Sequence, residues 1–312
     1  MIISKSYYTR GLKFMCRVIY KKIALPNGEE IGYREREGGK DAIIFVHGNL
    51  VSSKYWEKFM QRFPENFKLY AVDLRGAGIS SYNKPIETMR DFSEDIWLFS
   101  QEMNIKKFIL VGWSMGGVIS MQLAADHPDA VKKLILVSSP SCKGIPFTKK
   151  DEEGKVIPGE YWKTKEEVFN DKVQVLPIVY ALRSGNREIM KNIWDSAVFN
   201  YKKPEENYYK ELIEDIFTVR NYPDCAWATQ IFNISHFHNG VVMGTGEVDK
   251  LTMPVLLLWG EYDVIVKKEY SEETAKEIGE NAHVVVIENA AHSVFIDNEE
   301  QTLKVMLDFI EK

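Results

Sequence analysis

Ser114 lies in Gly112-Trp113-Ser114-Met115-Gly116, a serine with a glycine two positions away on each side. An apolar run precedes it, from Lys107 to Val111, and an unbroken Ala-containing segment, Met115–Asp126, follows it. The pattern predicts a strand, a tight turn and a helix, with Ser114 in the turn. Such a turn leaves no room for side chains at two neighbouring positions, which glycine satisfies. It lifts the hydroxyl above the sheet and sets it over unpaired N–H groups at the helix start. The Met115 amide would then face an oxyanion formed at a carbonyl under attack.

A hydroxyl is a poor nucleophile at neutral pH and needs a base to take its proton. The chain has 6 histidines. His127 ends a helical segment before Pro128, His236 and His238 lie in a region without strands, and His283 opens a strand. His292 sits in Asn289-Ala290-Ala291-His292-Ser293, a loop of small residues just past the last apolar run. A loop at the carboxyl end of a parallel strand shares the end of the sheet that carries Ser114, so His292 is the candidate base. A base of this kind is oriented by a carboxylate. Asp263, following Trp259-Gly260-Glu261-Tyr262, is the candidate, with Glu261 its rival two residues earlier. The second oxyanion donor is expected in His47-Gly48-Asn49-Leu50, after another apolar run, with the Asn49 amide facing Met115. His47 reads as structural support for that turn.

The elements that hold these residues follow from the apolar pattern. Val18–Ala24, Pro26-Asn27-Gly28 and Glu30–Arg36 predict an opening hairpin, since Asn-Gly tolerates the positive φ of such turns. Short apolar runs at Ala42–Val46, Leu69–Val72, Phe108–Val111, Leu134–Val137, Val255–Trp259 and His283–Ile287 suit strands buried on both faces. Helical segments such as Phe92–Met103 separate them, which predicts an α/β doubly wound, mostly parallel sheet. No comparable strand occurs between Val137 and Val255. That stretch is helix-like and aromatic, and a structureless loop of its length is implausible. It reads as a helical insert over one end of the sheet, giving core segments 1–139 and 248–312 around a cap at 140–247. Most of its aromatics read as its own small core. Trp113 and Trp227 are candidates for the substrate-pocket lining.

Composition excludes several classes. With 312 residues, 45% hydrophobic and 27% charged, the chain resembles an ordinary soluble enzyme. A net charge of −5 gives no footprint for nucleic acid or an anionic membrane. Cys16, Cys142 and Cys225 are far apart and odd in number, which points to reduced thiols rather than a disulfide framework. Lys5, Arg10, Lys13 and Arg17 interrupt the apolar residues of the N-terminus, so neither a secretory leader nor a membrane span is expected, and a cytoplasmic location follows.

Five motifs in order resemble the α/β-hydrolase superfamily. They are His47-Gly48, Asp73-Leu74-Arg75-Gly76-Ala77-Gly78-Ile79-Ser80, the Ser114 turn, Trp259-Gly260-Glu261-Tyr262-Asp263 and Ala291-His292. The resemblance spans residue 30 to the end apart from the insert. It implies a Ser114–His292–Asp263 triad, Asn49 and Met115 as the oxyanion hole, and a helical cap. Ala77 departs from a histidine common in the family, at a structural position. A serine at 114 argues against dehalogenases and epoxide hydrolases, which use aspartate, and Ser293 stands where carbon–carbon bond hydrolases usually carry tryptophan. His47-Gly48-Asn49 with Gly112–Gly117 is similar to acyl-homoserine-lactone hydrolases and small carboxylesterases.

The expected activity is hydrolysis of a small-molecule ester or lactone, with no cofactor and no metal. The alternatives are a carbon–carbon bond or amide hydrolase with the same triad, and a low-turnover ligand-binding protein on the same fold.

Overall fold

The computed structural model describes residues 17–312. Cys16 and the rest of residues 1–16, part of the segment searched for a leader, lie outside them. The strands are β1 (Val18–Ala24), β2 (Glu30–Arg36), β3 (Asp41–Val46), β4 (Phe67–Val72), β5 (Phe108–Trp113), β6 (Val131–Val137), β7 (Thr148–Lys150), β8 (Val156–Tyr161), β9 (Val255–Gly260) and β10 (Ala282–Ile287). The helices are α1 (Glu57–Met60), α2 (Met89–Glu102), α3 (Met115–Asp126), α4 (Lys165–Phe169), α5 (Leu176–Ser184), α6 (Arg187–Ala197), α7 (Glu206–Ile216), α8 (Tyr222–Gln230), α9 (Lys268–Ile278), α10 (Val294–Asp297) and α11 (Glu299–Ile310).

Eight strands form one sheet in the order β1-β2-β4-β3-β5-β6-β9-β10. The β1–β2 hairpin pairs antiparallel, and β2 joins β4 antiparallel. From β4 to β10 every pairing is parallel. The apolar runs predict this sheet because each central strand is buried on both faces. On β3, Ile43 and Phe45 enter one core with Trp56, Phe59 and Met306. Its alternate residues Ala42, Ile44 and Val46 enter the other with Phe92 and Phe99 of α2 and Val118 and Ile119 of α3. Helices therefore cover both faces, which is the doubly wound arrangement. The chain runs from β3 to β4 on one side and returns to β5 on the other. The carboxyl ends of β3 and β5 thus flank the switch point where open α/β sheets bind ligands.

The segment from residue 138 to residue 254 contains α4–α8, and it differs from expectation in two ways. It includes an antiparallel pair, β7 and β8, whose residues are all half-buried or exposed. Its aromatics also do not form a separate small core. Trp162, Trp194, Phe199, Tyr208 and Tyr209 join the same apolar cluster as Phe45, Tyr55 and Trp113 of the sheet side. The insert is thereby packed onto the sheet's own core. No helix among the described residues is long and apolar enough to cross a membrane.

Candidate active site

β5 delivers its chain directly into α3, and Ser114 makes the bend with φ 53° and ψ −126°. A non-glycine residue in such a region costs about 1–3 kcal/mol and persists where the surroundings over-determine it. They do so here. A Cβ on Gly112 would collide with Gly116 O and Ser120 Oγ, and one on Gly116 would collide with the carbonyls of Val46 and His47. The two glycines let α3 start against the ends of β3 and β5, as the spacing predicts. Ser114 N–H donates to Val137 O at 2.9 Å, fixing the bend to β6.

His292 and Asp263 meet from the loops after β10 and β9, which are adjacent parallel strands. His292 Nδ1 lies 2.9 Å from Asp263 Oδ2. The other oxygen, Asp263 Oδ1, accepts from the amides of Ile265 at 2.8 Å and Val266 at 2.9 Å. Burial works against the charge of Asp263, but His292 and these two amides outweigh it and hold its carboxyl below the usual range. The carboxylate is therefore an acceptor, so Nδ1 of His292 donates to it, and in the neutral ring the lone pair lies on Nε2. Glu261, the rival carboxylate, is exposed and accepts from the Asn289 amide at 3.1 Å. It serves the loop and makes no hydrogen bond to His292.

The loop after β3 brings Asn49 beside the elbow. Gly48 packs so closely that an added Cβ would lie 3.0 Å from Ser114 Cβ. The Asn49 amide has no acceptor among the described residues. The Met115 amide, at the first position of α3, has no intrahelical acceptor. Asn49 and Met115 line a common cavity of about 10 Å³, the size of one water, together with Val219, Asn221 and Cys225 of the insert. His47 holds the turn. Its Nε2 accepts from Leu74 N–H at 2.9 Å and its Nδ1 lies 2.7 Å from Gly48 O, a pattern only the neutral ring satisfies. Complete burial pushes its pKa down to about 4.

The structure does not join Ser114 to His292 by a hydrogen bond. The hydroxyl is partly exposed and without a partner among the described residues. The two are neighbours through Trp113, whose ring centre lies 5.5 Å from that of His292 and whose indole N–H donates to His292 O at 2.9 Å. Trp113 is 2% exposed and packs among Tyr55, Trp56 and Phe295. There it supports the His292 loop through that hydrogen bond. Trp227 is half-buried on α8 against the same cluster. The remaining histidines serve elsewhere, His127 stacked on Trp97 and His236 between Glu277 and Asp249.

Two supports carry no local signal in the sequence. Asp215 of α7 reaches across to Ser52, just beyond the Asn49 loop, accepting from its amide at 2.8 Å and its hydroxyl at 2.6 Å. Burial pushes the Asp215 carboxyl up to about 6. Tyr55 stacks between Trp113 and Phe199 of the insert, and its hydroxyl accepts from Trp194 Nε1 at 2.7 Å. The Asp215–Ser52 and Tyr55–Trp194 hydrogen bonds link residues more than a hundred positions apart, so no short-range spacing reveals them.

Comparison with known proteins follows the same geometry. A family model described as alpha/beta hydrolase fold matches residues 41–299. Monoacylglycerol lipase ABHD6 of Homo sapiens is 24% identical over 287 residues, covering 89% of this chain and 77% of that protein. The pimeloyl-[acyl-carrier protein] methyl ester esterase of Yersinia pseudotuberculosis is 24% identical over 279 residues, covering 88% of this chain and 95% of that one. Among solved structures, the esterase EaEST from Exiguobacterium antarcticum superposes with a TM-score of 0.72 at 19% identity, covering 94% of this chain and 100% of that one. A sheet of this strand order, an elbow serine at its switch point and a family match over most of the length agree: the chain belongs to the α/β-hydrolase fold family.

Proposed function

We propose that the protein is a serine hydrolase that cleaves a carboxylic ester or lactone through an acyl-enzyme. The observation that carries this reading is the His292–Asp263 bond beside a strained, glycine-flanked serine. With Nδ1 tied to Asp263, His292 Nε2 takes the proton of Ser114 as the hydroxyl oxygen bonds to the substrate carbonyl carbon. The Asn49 and Met115 amides receive the oxyanion, each worth about 10²–10³ in rate. His292 passes its proton to the leaving alkoxide, and the ester C–O bond breaks. Water then repeats the attack on the acyl-enzyme with His292 as base, releasing the acid and restoring Ser114. The Ser114–His292 hydrogen bond that the first step needs would form with substrate bound, as catalytic hydrogen bonds that are long or absent in empty sites often do. None of these steps calls on a metal or organic cofactor.

The named relatives include a methyl ester esterase and a monoacylglycerol lipase, which supports an ester as the cleaved group. The Asn49 loop and Gly112–Gly117 extend the range to lactones. Residues 140–247 would serve as the cap, a role supported by Val219, Asn221 and Cys225 lining one small cavity with Asn49 and Met115. The test is Ser114→Ala, assayed on p-nitrophenyl esters of graded acyl length and on lactones, with labelling by a fluorophosphonate probe. Turnover and labelling should both vanish while the melting curve is unchanged. Ester hydrolysis that survives in this variant would overturn the reading.

A further inference from the structure

Asp297 ends α10, five residues after the candidate base, and touches the backbone on both sides of it. Its Oδ2 accepts from the Ala291 amide at 2.8 Å. Its own N–H donates to Ser293 O at 2.9 Å. His292 therefore sits in a segment whose preceding amide and following carbonyl are both held by one residue, while Trp113 holds the carbonyl between them. Asp297 is 5% exposed, and its Oδ1 is buried with no donor among the described residues.

That orphaned oxygen is the informative feature. A buried carboxylate oxygen without a donor is costly, and an amide or apolar side chain would fill the space more cheaply. The titratable groups that face it are Lys202 of the insert, His292 and Asp263. Lys202 Nζ donates to the Asp297 main-chain carbonyl at 3.1 Å rather than to the carboxylate. Burial pushes the carboxyl up to about 6, opposed first by the Ala291 amide and then by Lys202 and His292, while Asp263 adds to the rise. The carboxylate is thus kept ionised above that pH in a place that disfavours it, next to a ring that must become positive during turnover.

We infer that Asp297 is a positioning residue for His292, clamping the backbone on either side of the ring and setting a second carboxylate, besides Asp263, near the imidazolium. The proposal rests on the reading of His292 as the base. It separates two effects, since Asp297→Asn keeps an oxygen for the Ala291 amide and removes only the charge, whereas Asp297→Ala removes both.

The experiment measures kcat and KM on a p-nitrophenyl ester from pH 5 to 9 for the wild type, Asp297→Asn, Asp297→Ala and Ser114→Ala. Fluorophosphonate labelling rates and melting curves accompany the kinetics. In Asp297→Asn the acid limb should move to lower pH by about half a unit or more, because the imidazolium loses a nearby negative charge. In Asp297→Ala kcat should fall by about 10- to 100-fold with KM little changed, the mark of a misplaced catalytic group. A purely structural aspartate would lower the melting temperature and leave the acid limb where it was, and that result overturns the proposal. Should Ser114→Ala lose activity while both Asp297 variants match the wild type, only this inference fails. Should Ser114→Ala stay active, the hydrolase reading fails, and with it the role of His292 that Asp297 is proposed to serve.

Discussion

The indole N–H of Trp113 donates to the main-chain carbonyl of His292 at 2.9 Å. The residue just before the candidate nucleophile therefore carries the loop of the candidate base, although the two lie on different strands' ends. Ser114 and His292 are positioned as one unit, because β5 places both Ser114 and the indole that fixes His292.

Trp113→Phe tests this coupling. Phenylalanine retains an aromatic ring against Tyr55, Trp56 and Phe295 but leaves the buried His292 carbonyl without its donor. Such a loss costs about 1–3 kcal/mol of stability. The expected kinetic signature is a fall in kcat of about tenfold with little change in KM, through a displaced His292. Steady-state kinetics and a denaturation curve check both. A variant that loses stability but keeps kcat would reduce the tie to simple packing.

Asp263→Asn and Glu261→Gln decide between the two carboxylates. Replacing Asp263 removes the charge facing His292 and permits the wrong tautomer, with an expected loss in kcat of about 10⁴. Glu261 accepts from the exposed Asn289 amide and makes no hydrogen bond to His292, so its variant should turn over near the wild-type rate. A reversed ranking in the same ester assay would move the triad carboxylate to Glu261.

His47→Gln addresses pH and stability. The folded pKa of about 4 lies below the ordinary histidine value of 6.5, so the unfolded chain binds the proton more tightly. His47 then adds stability that is fully present above about pH 6.5 and is lost as pH falls through about 4, with an upper size of about 3 kcal/mol. The difference in unfolding free energy between wild type and variant should therefore shrink as pH drops from 7 to 4. Urea unfolding across that range measures it. A constant difference would mean that the ring is not buried in its neutral form.

These supports show what the sequence can and cannot reveal. The sheet was legible because strands buried on both faces read as short apolar runs, and the elbow because Gly112 and Gly116 stand where any Cβ would collide. The β1–β2 hairpin was legible from Asn27-Gly28. β7 and β8 escaped because a short pair with no buried residue has no alternating apolar face. Trp113 was read from its neighbour Ser114 as a pocket wall, yet its indole is directed at a carbonyl 179 positions away. Nothing in the local sequence sets Asp215 and Asp297 apart from other carboxylates, and only the packed fold turns them inward. The choice of Asp263 over Glu261 depended on which loop position is buried, and spacing alone ranks those positions weakly.

The bond from Asp215 to Ser52 bears on how modular this architecture is. An insert that merely rested on the sheet could be exchanged between relatives like a cover, changing specificity and nothing else. Here a carboxylate of the insert grips the serine that follows the Asn49 loop, and Tyr55 is stacked and hydrogen-bonded to insert aromatics. A chimaera carrying a foreign insert would inherit a half-built core unless the donor supplied an acid at the position of Asp215. Recombination and engineering would thus treat α6, α7 and the loop after β3 as a single inherited block, although they are far apart along the chain.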